Sequence, residues 1–447
     1  MANMFYLLNM SISGIKNIKN EIQLDFYKKT VDKNFNPEKY RIKAIYGENG
    51  SGKTAIITAV KIFQDLILKD NYLNESKTQI FLREIVNKTT QKIHLGLEFL
   101  VDADTIKVVY HYSLQIGKNA NGLYEIQREA LNVKNGNYAN NKYKPVFECK
   151  DGELYYINCS DEKKAILKKK SLNLLSSHSF IYLFITINPV KQAGNPKEKV
   201  IDTQLLMHIV LCMTLTVIIR VYLAEEDQHE LYFLRKRVKE SGLDNQALQK
   251  GLLEYSESIN IFSSVSEKFV DKPYFDKYQE KVKQLTQFIK IFKPELVSID
   301  IDAKEHEEQY ECDLNLNYGN YSINKEFEST GIKKLIRLFD CFVAASTRGI
   351  VFIDEMDSNL NDVYLCKLIE YFMYYGKGQL CFTTHNLDPM TILKENKNSI
   401  DFLSNDNHLV SWTSRGNASP ENCYKNGMIE DSPFNIDATD FVGIFEE

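Results

Sequence analysis

The sequence has few of the features that mark secreted, zinc-binding or membrane proteins. It contains a single Trp, and its eight Cys include no Cys-x-x-Cys pair, which argues against a zinc site. The first residues have no basic segment followed by an apolar run, so neither a secretory signal nor a disulfide framework is expected. We therefore predict free thiols and a reducing, cytoplasmic compartment.

A large excess of positive charge is also missing. The formal net charge is −5 and the isoelectric point is about 6.0, which argues against a generally basic surface but allows a local basic patch. One short basic cluster is present, formed by Lys163, Lys164, Lys168, Lys169 and Lys170. A solvated helix face is the ordinary interpretation of Lys163–Lys170, and contact with nucleic-acid phosphates is the alternative.

No uncharged run reaches the length of a clear membrane span. The stretch 203–219 carries no formal charge, but it holds Gln204, His208, Thr214 and Thr216. A spanning helix needs about 20 predominantly apolar residues. We interpret the stretch as a buried helix and keep a membrane span as the alternative.

The pattern of apolar residues predicts an α/β protein. Of the 447 residues, 44% are hydrophobic and 26% are charged, as in globular proteins with a substantial core. Residues 92–158 look like strands separated by Asn/Gly turns, residues 163–290 look mainly helical, and strands and helices alternate again from about residue 296. We predict an α/β core with an antiparallel β subdomain and a helical insertion, in three parts: 1–160, 161–290 and 291–447.

The strongest motif is Gly47-Glu48-Asn49-Gly50-Ser51-Gly52-Lys53-Thr54, which fits G-x-x-x-x-G-K-[ST] and lies between a predicted strand and a predicted helix. Such a loop directs main-chain N–H groups at phosphate oxygens, and the helix N-terminus adds partial positive charge. In this motif Lys53 reaches the β- and γ-phosphates and Thr54 offers its hydroxyl to Mg²⁺. An ordinary glycine-rich turn is the alternative, which the flanking elements disfavour.

A second motif places two acids after a buried strand. Residues 350–353 are apolar and are followed by Asp354 and Glu355, so both carboxylates are expected at the carboxyl end of a parallel strand. Asp354 is then positioned to hold Mg²⁺, and Glu355 to orient or deprotonate an attacking water. The motif is weak alone and gains strength from the P-loop, whose Mg²⁺ needs such an acid.

Two further elements stand on either side of these acids. Ser329-Thr330-Gly331 opens a predicted helix, and His385 follows a predicted strand. Ser329 also suits a plain helix N-cap, and a single His at a strand end is often structural. Their order relative to the P-loop and the acids favours a role in nucleotide chemistry.

This order, with Ser358-Asn359-Leu360-Asn361 after the acids, resembles the ATP-binding-cassette class of ATPases. The sequence is most similar to the SMC-like and OLD-like branch of AAA-family ATPases, which includes stand-alone ATPase subunits of anti-phage systems of the PARIS, Septu or retron-associated type. In this class Ser329-Thr330-Gly331 corresponds to the signature motif, and it departs from the transporter form because it lacks the second glycine and the glutamine. The segments that carry the resemblance are 12–18, 47–54, 328–331, 353–357 and 383–386, within residues 1–115 and 290–447.

The resemblance implies the fold of a P-loop NTPase with an ABC-type head, which has a mixed-sheet core and an antiparallel β subdomain and is formed by residues 1–160 and 291–447. It also implies ATP and Mg²⁺ as cofactors and a homodimer or higher oligomer with ATP sandwiched between two heads. In that arrangement Ser329, Thr330 and Gly331 face the γ-phosphate held by the partner's P-loop. Lys53, Glu355 and His385 are then catalytic, and Thr54 and Asp354 hold the metal. Gln79 and Gln91 are candidates for the Mg²⁺-sensing glutamine. The stretch after His385 is too short for the nuclease domain of OLD-like proteins, so we expect a separate nuclease or toxin as effector.

These expectations lead to a nucleotide-dependent ATPase switch in anti-phage defence as the first hypothesis. An SMC-like ATPase that binds DNA in repair or chromosome maintenance is the second, although the long coiled coils usual in that group are not found. An ATPase subunit docked on a membrane transporter is the third, and the unusual signature disfavours it. Slow turnover by a protein that mainly binds ATP also stays open.

Overall fold

The computed structural model describes residues 4–103, 106–187, 203–223, 264–396, 398–413, 418–432 and 444. A mixed sheet lies at the centre of these residues. Its strands all pair in parallel except for one antiparallel edge strand at residues 409–411. In spatial order they are β17 (Leu409–Ser411), β16 (Ile400–Leu403), β3 (Ile42–Tyr46), β15 (Gln379–Thr383), β14 (Ile350–Ile353) and β9 (Ile219–Tyr222).

The central strands are buried on both faces. In β14, Ile350 and Phe352 belong to one hydrophobic core, whereas Val351 and Ile353 belong to a second core on the other side of the sheet. A strand buried on both faces appears in the sequence as a continuous apolar run, without polar alternation. The order of the strands places β15 between β3 and β14, so the P-loop and the two acids follow strands that are separated by a single strand.

Helices cover both faces of this sheet. The first core includes residues of α1, α2, α4 and α5, and the second includes residues of α6 to α10. The described helices are α1 (Lys53–Leu68), α2 (Ser76–Ile85), α3 (Asp161–Lys170), α4 (Phe180–Ile187), α5 (Thr203–Ile218), α6 (Phe275–Phe292), α7 (Thr330–Ser346), α8 (Asp362–Tyr375), α9 (Met390–Leu393) and α10 (Pro420–Lys425).

Two antiparallel sheets accompany the central one in the described chain. The larger sheet shares the first core with α1. Its strands, in spatial order, are β2 (Ile22–Asp25), β1 (Met4–Ser13), β4 (Lys92–Ala103), β5 (Ile106–Lys118), β6 (Tyr124–Asn135), β7 (Lys144–Lys150) and β8 (Glu153–Ile157). The smaller sheet consists of β10 (Phe269–Asp271), β12 (Gln309–Asn317) and β11 (Ser298–Glu305), with β13 (Ser322–Asn324) paired to β12.

The predicted fold class, an α/β protein with a mixed-sheet core and an antiparallel β subdomain, is confirmed. Residues 203–218 of the uncharged stretch form the buried helix α5, and Ile219 begins β9. Gln64 of α1 fixes this junction, because its Nε2 donates to the carbonyls of Thr216 (3.2 Å) and Ile219 (2.8 Å). None of the helices within the described ranges is both long and apolar enough to span a membrane.

The middle part of the chain is described only in portions. Residues 188–202 and 224–263 lie outside the described residues, and they hold much of the predicted helical insertion. The described portion contains α3, α4, α5 and part of α6, but also the strands β9 and β10. Since β9 belongs to the central sheet and α5 to the first core, these elements are part of the body of the protein. The boundaries at 160 and 290 stay predictions.

Candidate nucleotide-binding site

The P-loop connects β3 to α1 as the motif requires. Gly50 and Gly52 have φ angles of +84° and +113°, which side-chain-bearing residues rarely adopt. A Cβ at Gly52 would also lie 2.8 Å from Asn17 Oδ1. Gly52 is the N-cap of α1 and offers no side chain to its first turn. The N–H groups at this helix N-terminus are therefore left for an anion.

Lys53 folds back over the P-loop. Its Nζ donates to the carbonyl oxygens of Gly47 (2.9 Å) and Glu48 (2.8 Å), and the side chain is buried. Burial lowers the pKa of Lys53, while the carboxylates of Asp354 and Glu355 raise it. The ammonium group is therefore bonded to the loop and lies within electrostatic range of the two acids.

Two details of the loop fit a phosphate ligand. The hydroxyl of Ser51 is buried and has no hydrogen-bond partner among the described residues, although buried polar groups are normally paired. A Cβ at Gly47 would lie 2.7 Å from this Ser51 Oγ, so a side chain there would fill the cradle. On the outer side, Asn17 Nδ2 donates to the carbonyl of Gly50. Asn17 lies in the segment 12–18 that carries the family resemblance, but this contact was not predicted.

Asp354 lies at the carboxyl end of β14, one strand away from β3. Its side chain is buried, and its Oδ1 accepts a hydrogen bond of 2.6 Å from Thr383 Oγ1. Its N–H donates to the carbonyl of Tyr222 in β9 (2.9 Å). Thr383, the last residue of β15, was not predicted as a site residue. The signal that could have identified it is its position: Thr383 ends β15, the strand between β3 and β14.

Glu355 is exposed, and its backbone is left-handed, with φ of +47°. For a residue other than glycine this conformation costs roughly 1–2 kcal/mol and needs support from its surroundings. The N–H of Glu355 donates to Thr383 Oγ1 (2.7 Å), and its carbonyl accepts a hydrogen bond from Lys334 Nζ (2.5 Å). Both main-chain groups are thus held, while the carboxylate is open to solvent beside the loop.

His385 follows β15 at the same edge of the sheet. Its N–H donates to Asp357 Oδ2 (3.2 Å), and the residue is largely exposed. Partial burial and the Lys53 ammonium lower the pKa of His385, while Asp357 acts in the opposite direction. The pKa of His385 is therefore below its usual value, and a neutral imidazole can donate or accept a hydrogen bond.

The predicted signature opens α7. Ser329 occupies the N-cap position, but its side chain makes no capping hydrogen bond, and both Ser329 and Thr330 are exposed. Gly331 packs closely against the segment after the acids, because a Cβ there would lie 2.8 Å from the carbonyl oxygen of Asn359. The N-cap interpretation holds for the backbone position, and the hydroxyl of Ser329 is not used by the helix.

The structure also locates the residues considered for Mg²⁺. Thr54 lies in the first turn of α1 and is half-buried. Gln79 uses its amide within the fold, since Nε2 donates to the carbonyl of Tyr124 (2.9 Å) and Oε1 accepts the N–H of Tyr124 (2.8 Å). Gln91 Nε2 donates to the carbonyl of Lys88 (2.6 Å). Mg²⁺ usually takes one or two protein oxygens and completes its shell with phosphate and water, and Thr54 and Asp354 offer a hydroxyl and a carboxylate.

Comparisons with known proteins give matches at the level of structure. No family model and no curated protein sequence matches the chain. Solved structures with similarity include the recombination mediator RecF-ATP of the RecFOR pathway, with 15% identity over 92% of this chain and 100% of that chain and a TM-score of 0.39. The structure of the same mediator as RecF-ATPrS is 14% identical over 92% of this chain and 99% of that chain, with a TM-score of 0.37. The SMC head domain from Thermotoga maritima is 12% identical over 91% of this chain and 99% of that chain, with a TM-score of 0.32.

Proposed function

We propose that this protein binds and hydrolyses ATP. The observation that carries the proposal is the arrangement at the carboxyl edge of the central sheet. There, the P-loop follows β3 and leads into a helix N-terminus without a side-chain cap, and Asp354 and Glu355 follow β14, with only β15 between the two strands. The unpartnered hydroxyl of Ser51 and the inward-folded Lys53 support a phosphate as the ligand.

Each residue has a distinct role in this proposal. Lys53 exchanges its bonds to the loop carbonyls for bonds to the β- and γ-phosphates. Thr54 and Asp354 would hold Mg²⁺, which neutralises charge on the phosphates when bound. Glu355 orients or deprotonates the attacking water, and His385 donates a hydrogen bond to the γ-phosphate.

We further propose that two chains pair head-to-head across two ATP molecules. The surface for the partner's γ-phosphate is the exposed N-terminus of α7. It consists of the hydroxyl of Ser329, which the helix does not use, the N–H groups that follow and the small Gly331. A helix N-terminus favours an anion because of its partial positive charge and unpaired N–H groups. The resemblance to stand-alone ATPase subunits supports a switch that controls a separate nuclease or toxin in anti-phage defence.

The test uses Glu355→Gln in the full-length chain. This variant should bind ATP, fail to hydrolyse it and accumulate as a dimer with ATP and Mg²⁺, measured by light scattering after gel filtration. Glu307→Gln, which makes the same change at an exposed position, should hydrolyse ATP like the wild type. A Glu355→Gln chain that binds ATP but stays monomeric would exclude the paired arrangement and leave ATP binding intact.

A DNA-binding ATPase is the second candidate, favoured by one observation. The helix α3 presents Lys168, Lys169 and Lys170 on an exposed surface. Binding through such a cluster should weaken steeply with salt. Replacing these three lysines with glutamine should then abolish salt-dependent binding to a DNA duplex, whereas Lys28→Gln with Lys29→Gln, which removes two exposed lysines elsewhere, should not. Equal binding by both variants would exclude α3 as the contact.

A further inference from the structure

Lys334 is a buried lysine in the second turn of α7, and its ammonium group points at residues 355–358, which follow β14 and Asp354. The side chain is 5% exposed. Its Nζ donates to the carbonyl oxygens of Glu355 (2.5 Å) and Ser358 (2.7 Å) and also to Ser358 Oγ. These acceptors occupy the donor capacity of an ammonium group. They all lie in 355–358, the start of the segment that follows β14.

These contacts fall where the backbone needs support. Glu355 is left-handed, with φ of +47°, and so is Asn359, with φ of +59°. Within this segment the N–H of Ser358 donates to the carbonyl of Glu355 (3.1 Å), so the Glu355 carbonyl accepts from both Ser358 and Lys334. The two outside groups that hold the main chain of Glu355 are Thr383 Oγ1 at its N–H and Lys334 Nζ at its carbonyl.

Lys334 also connects this segment to the surface that opens α7. One turn earlier in the helix, Gly331 lies against the carbonyl of Asn359, where a Cβ would be only 2.8 Å away. Because Gly331 and Lys334 both contact 355–359, a shift of the helix N-terminus relative to the sheet displaces the main chain of Glu355. The close contact at Gly331 prevents α7 from moving nearer to residues 355–359. The hydrogen bonds of Lys334 prevent α7 from moving away from them.

We propose that Lys334 is a positioning residue that fastens the main chain of Glu355 to α7. This inference rests on the proposed function and extends it. In a paired arrangement, the α7 N-terminus contacts the partner's nucleotide, whereas Glu355 acts on the nucleotide of its own chain. Lys334 is then the link through which occupancy of one nucleotide site sets the geometry of the catalytic carboxylate in the other.

The electrostatic surroundings agree with this role. Burial lowers the pKa of Lys334 to about 8, against the carboxylates of Asp357, Glu355 and Asp354, which raise it. A charged group is retained in a buried position only when it is paired and hydrogen-bonded. Here the carbonyl dipoles and three nearby carboxylates supply that compensation, and an apolar residue at 334 would leave the two carbonyls without this donor.

The experiment compares Lys334→Met with Lys333→Met in the full-length protein. Lys333 lies next to it on α7, is only partly buried, and its Nζ donates to the carbonyl of Glu326 (3.3 Å). Hydrogen exchange without nucleotide is measured on peptides that cover 354–361, and steady-state hydrolysis is measured against ATP concentration. We expect Lys334→Met to accelerate exchange in these peptides and to lower kcat by about tenfold or more with KM changed less than about twofold. Lys333→Met should do neither.

The two readouts separate the failure of this inference from the failure of the proposed function. If the wild type hydrolyses ATP and Lys334→Met does so at the same kcat, the positioning role is wrong and the ATPase stands. If the wild type lacks hydrolysis, the proposed function fails, and the exchange data still decide whether Lys334 holds the segment. Unchanged exchange in Lys334→Met overturns the inference in either case. Circular dichroism and ATP binding show whether Lys334→Met has lost these contacts or the whole fold. Lys334→Arg, which keeps the charge, is a second variant for the same comparison.

Discussion

Gln379 and Leu7 exchange two hydrogen bonds between the central sheet and the larger antiparallel sheet. Gln379 Nε2 donates to the carbonyl of Leu7 (2.9 Å), and the N–H of Leu7 donates to Gln379 Oε1 (2.7 Å), all within the buried interior. β2 pairs with β1 only from Asn9 onward, so Leu7 has a free main-chain edge at this point. The side chain of Gln379 takes the place of a neighbouring strand and fixes β1 onto β15, the strand beside the P-loop strand.

Gln379→Leu should destabilise the fold strongly, because it leaves the N–H and carbonyl of Leu7 buried and without this partner. Each such group costs about 1–3 kcal/mol, so we expect the free energy of unfolding to fall by about 2–4 kcal/mol in urea titrations. Gln23→Leu, the same substitution at an exposed position of β2, should change it by less than about 0.5 kcal/mol. Equal effects of the two variants would show that the exchanged bonds do not join the sheets.

Thr383→Val should impair hydrolysis while ATP binding persists. The substitution keeps the shape of the side chain but removes the hydroxyl that donates to Asp354 and accepts the N–H of Glu355. We expect a loss of about 10- to 100-fold in kcat, equivalent to about 1.4–2.7 kcal/mol. Thr286→Val is the control, since that buried threonine donates to the carbonyl of Val282 within α6. Activity of Thr383→Val within about twofold of the wild type would contradict the role of the hydroxyl.

Gly331→Ala should weaken ATP-dependent pairing. The added Cβ would lie 2.8 Å from the carbonyl oxygen of Asn359, which is main chain and cannot rotate away. The N-terminus of α7 must then move from its position, and a Glu355→Gln chain that also carries Gly331→Ala should form fewer dimers in light scattering. Gly117→Ala serves as control because its Cβ would meet only the end of the Gln127 side chain. Undiminished dimers would place the contact surface elsewhere.

The stability contributed by Lys334 should depend on pH. Its pKa is lowered from 10.5 to about 8 in the fold, so between these values the unfolded chain binds more protons than the folded chain. The free energy of unfolding of the wild type should therefore rise with pH relative to Lys334→Met, by up to about 1.4 kcal/mol per unit above about pH 8. Denaturant titrations at several pH values measure this difference. A difference that stays constant or shrinks with pH would contradict the lowered pKa.

The elements that could be predicted from the sequence are those whose signals are local. β3, the P-loop and the start of α1 follow one another directly, and so do β14, Asp354 and Glu355. Glycine positions, an apolar run and terminal carboxylates are visible within a few residues of each other. The α/β class follows from such signals, since each predicts its own strand or helix.

Other parts of the site depend on contacts between distant segments. Thr383, Lys334 and Asn17 acquire their partners only when β15, α7 and the opening loop lie beside the acids and the P-loop. The residues next to them in the sequence do not reveal these partners, so the contacts could not be predicted. β9 was missed for a related reason: Ile219 continues the uncharged run of α5, and only pairing with β14 makes residues 219–222 a strand.

The position of β3 inside the sheet has a consequence for synthesis of the protein. Its neighbours β15 and β16 come from residues 379–383 and 400–403, far later in the chain. At about 5–20 residues per second, a ribosome needs on the order of 15–60 s to add the roughly 300 residues between the P-loop and the acids. During that interval β3 has both edges unpaired, and Lys43 within it lacks its partner Asp401 of β16; a strand with unpaired edges invites aggregation. The central sheet therefore closes around β3 only after β15 and β16 have been synthesised, and the proposed nucleotide site cannot form before then.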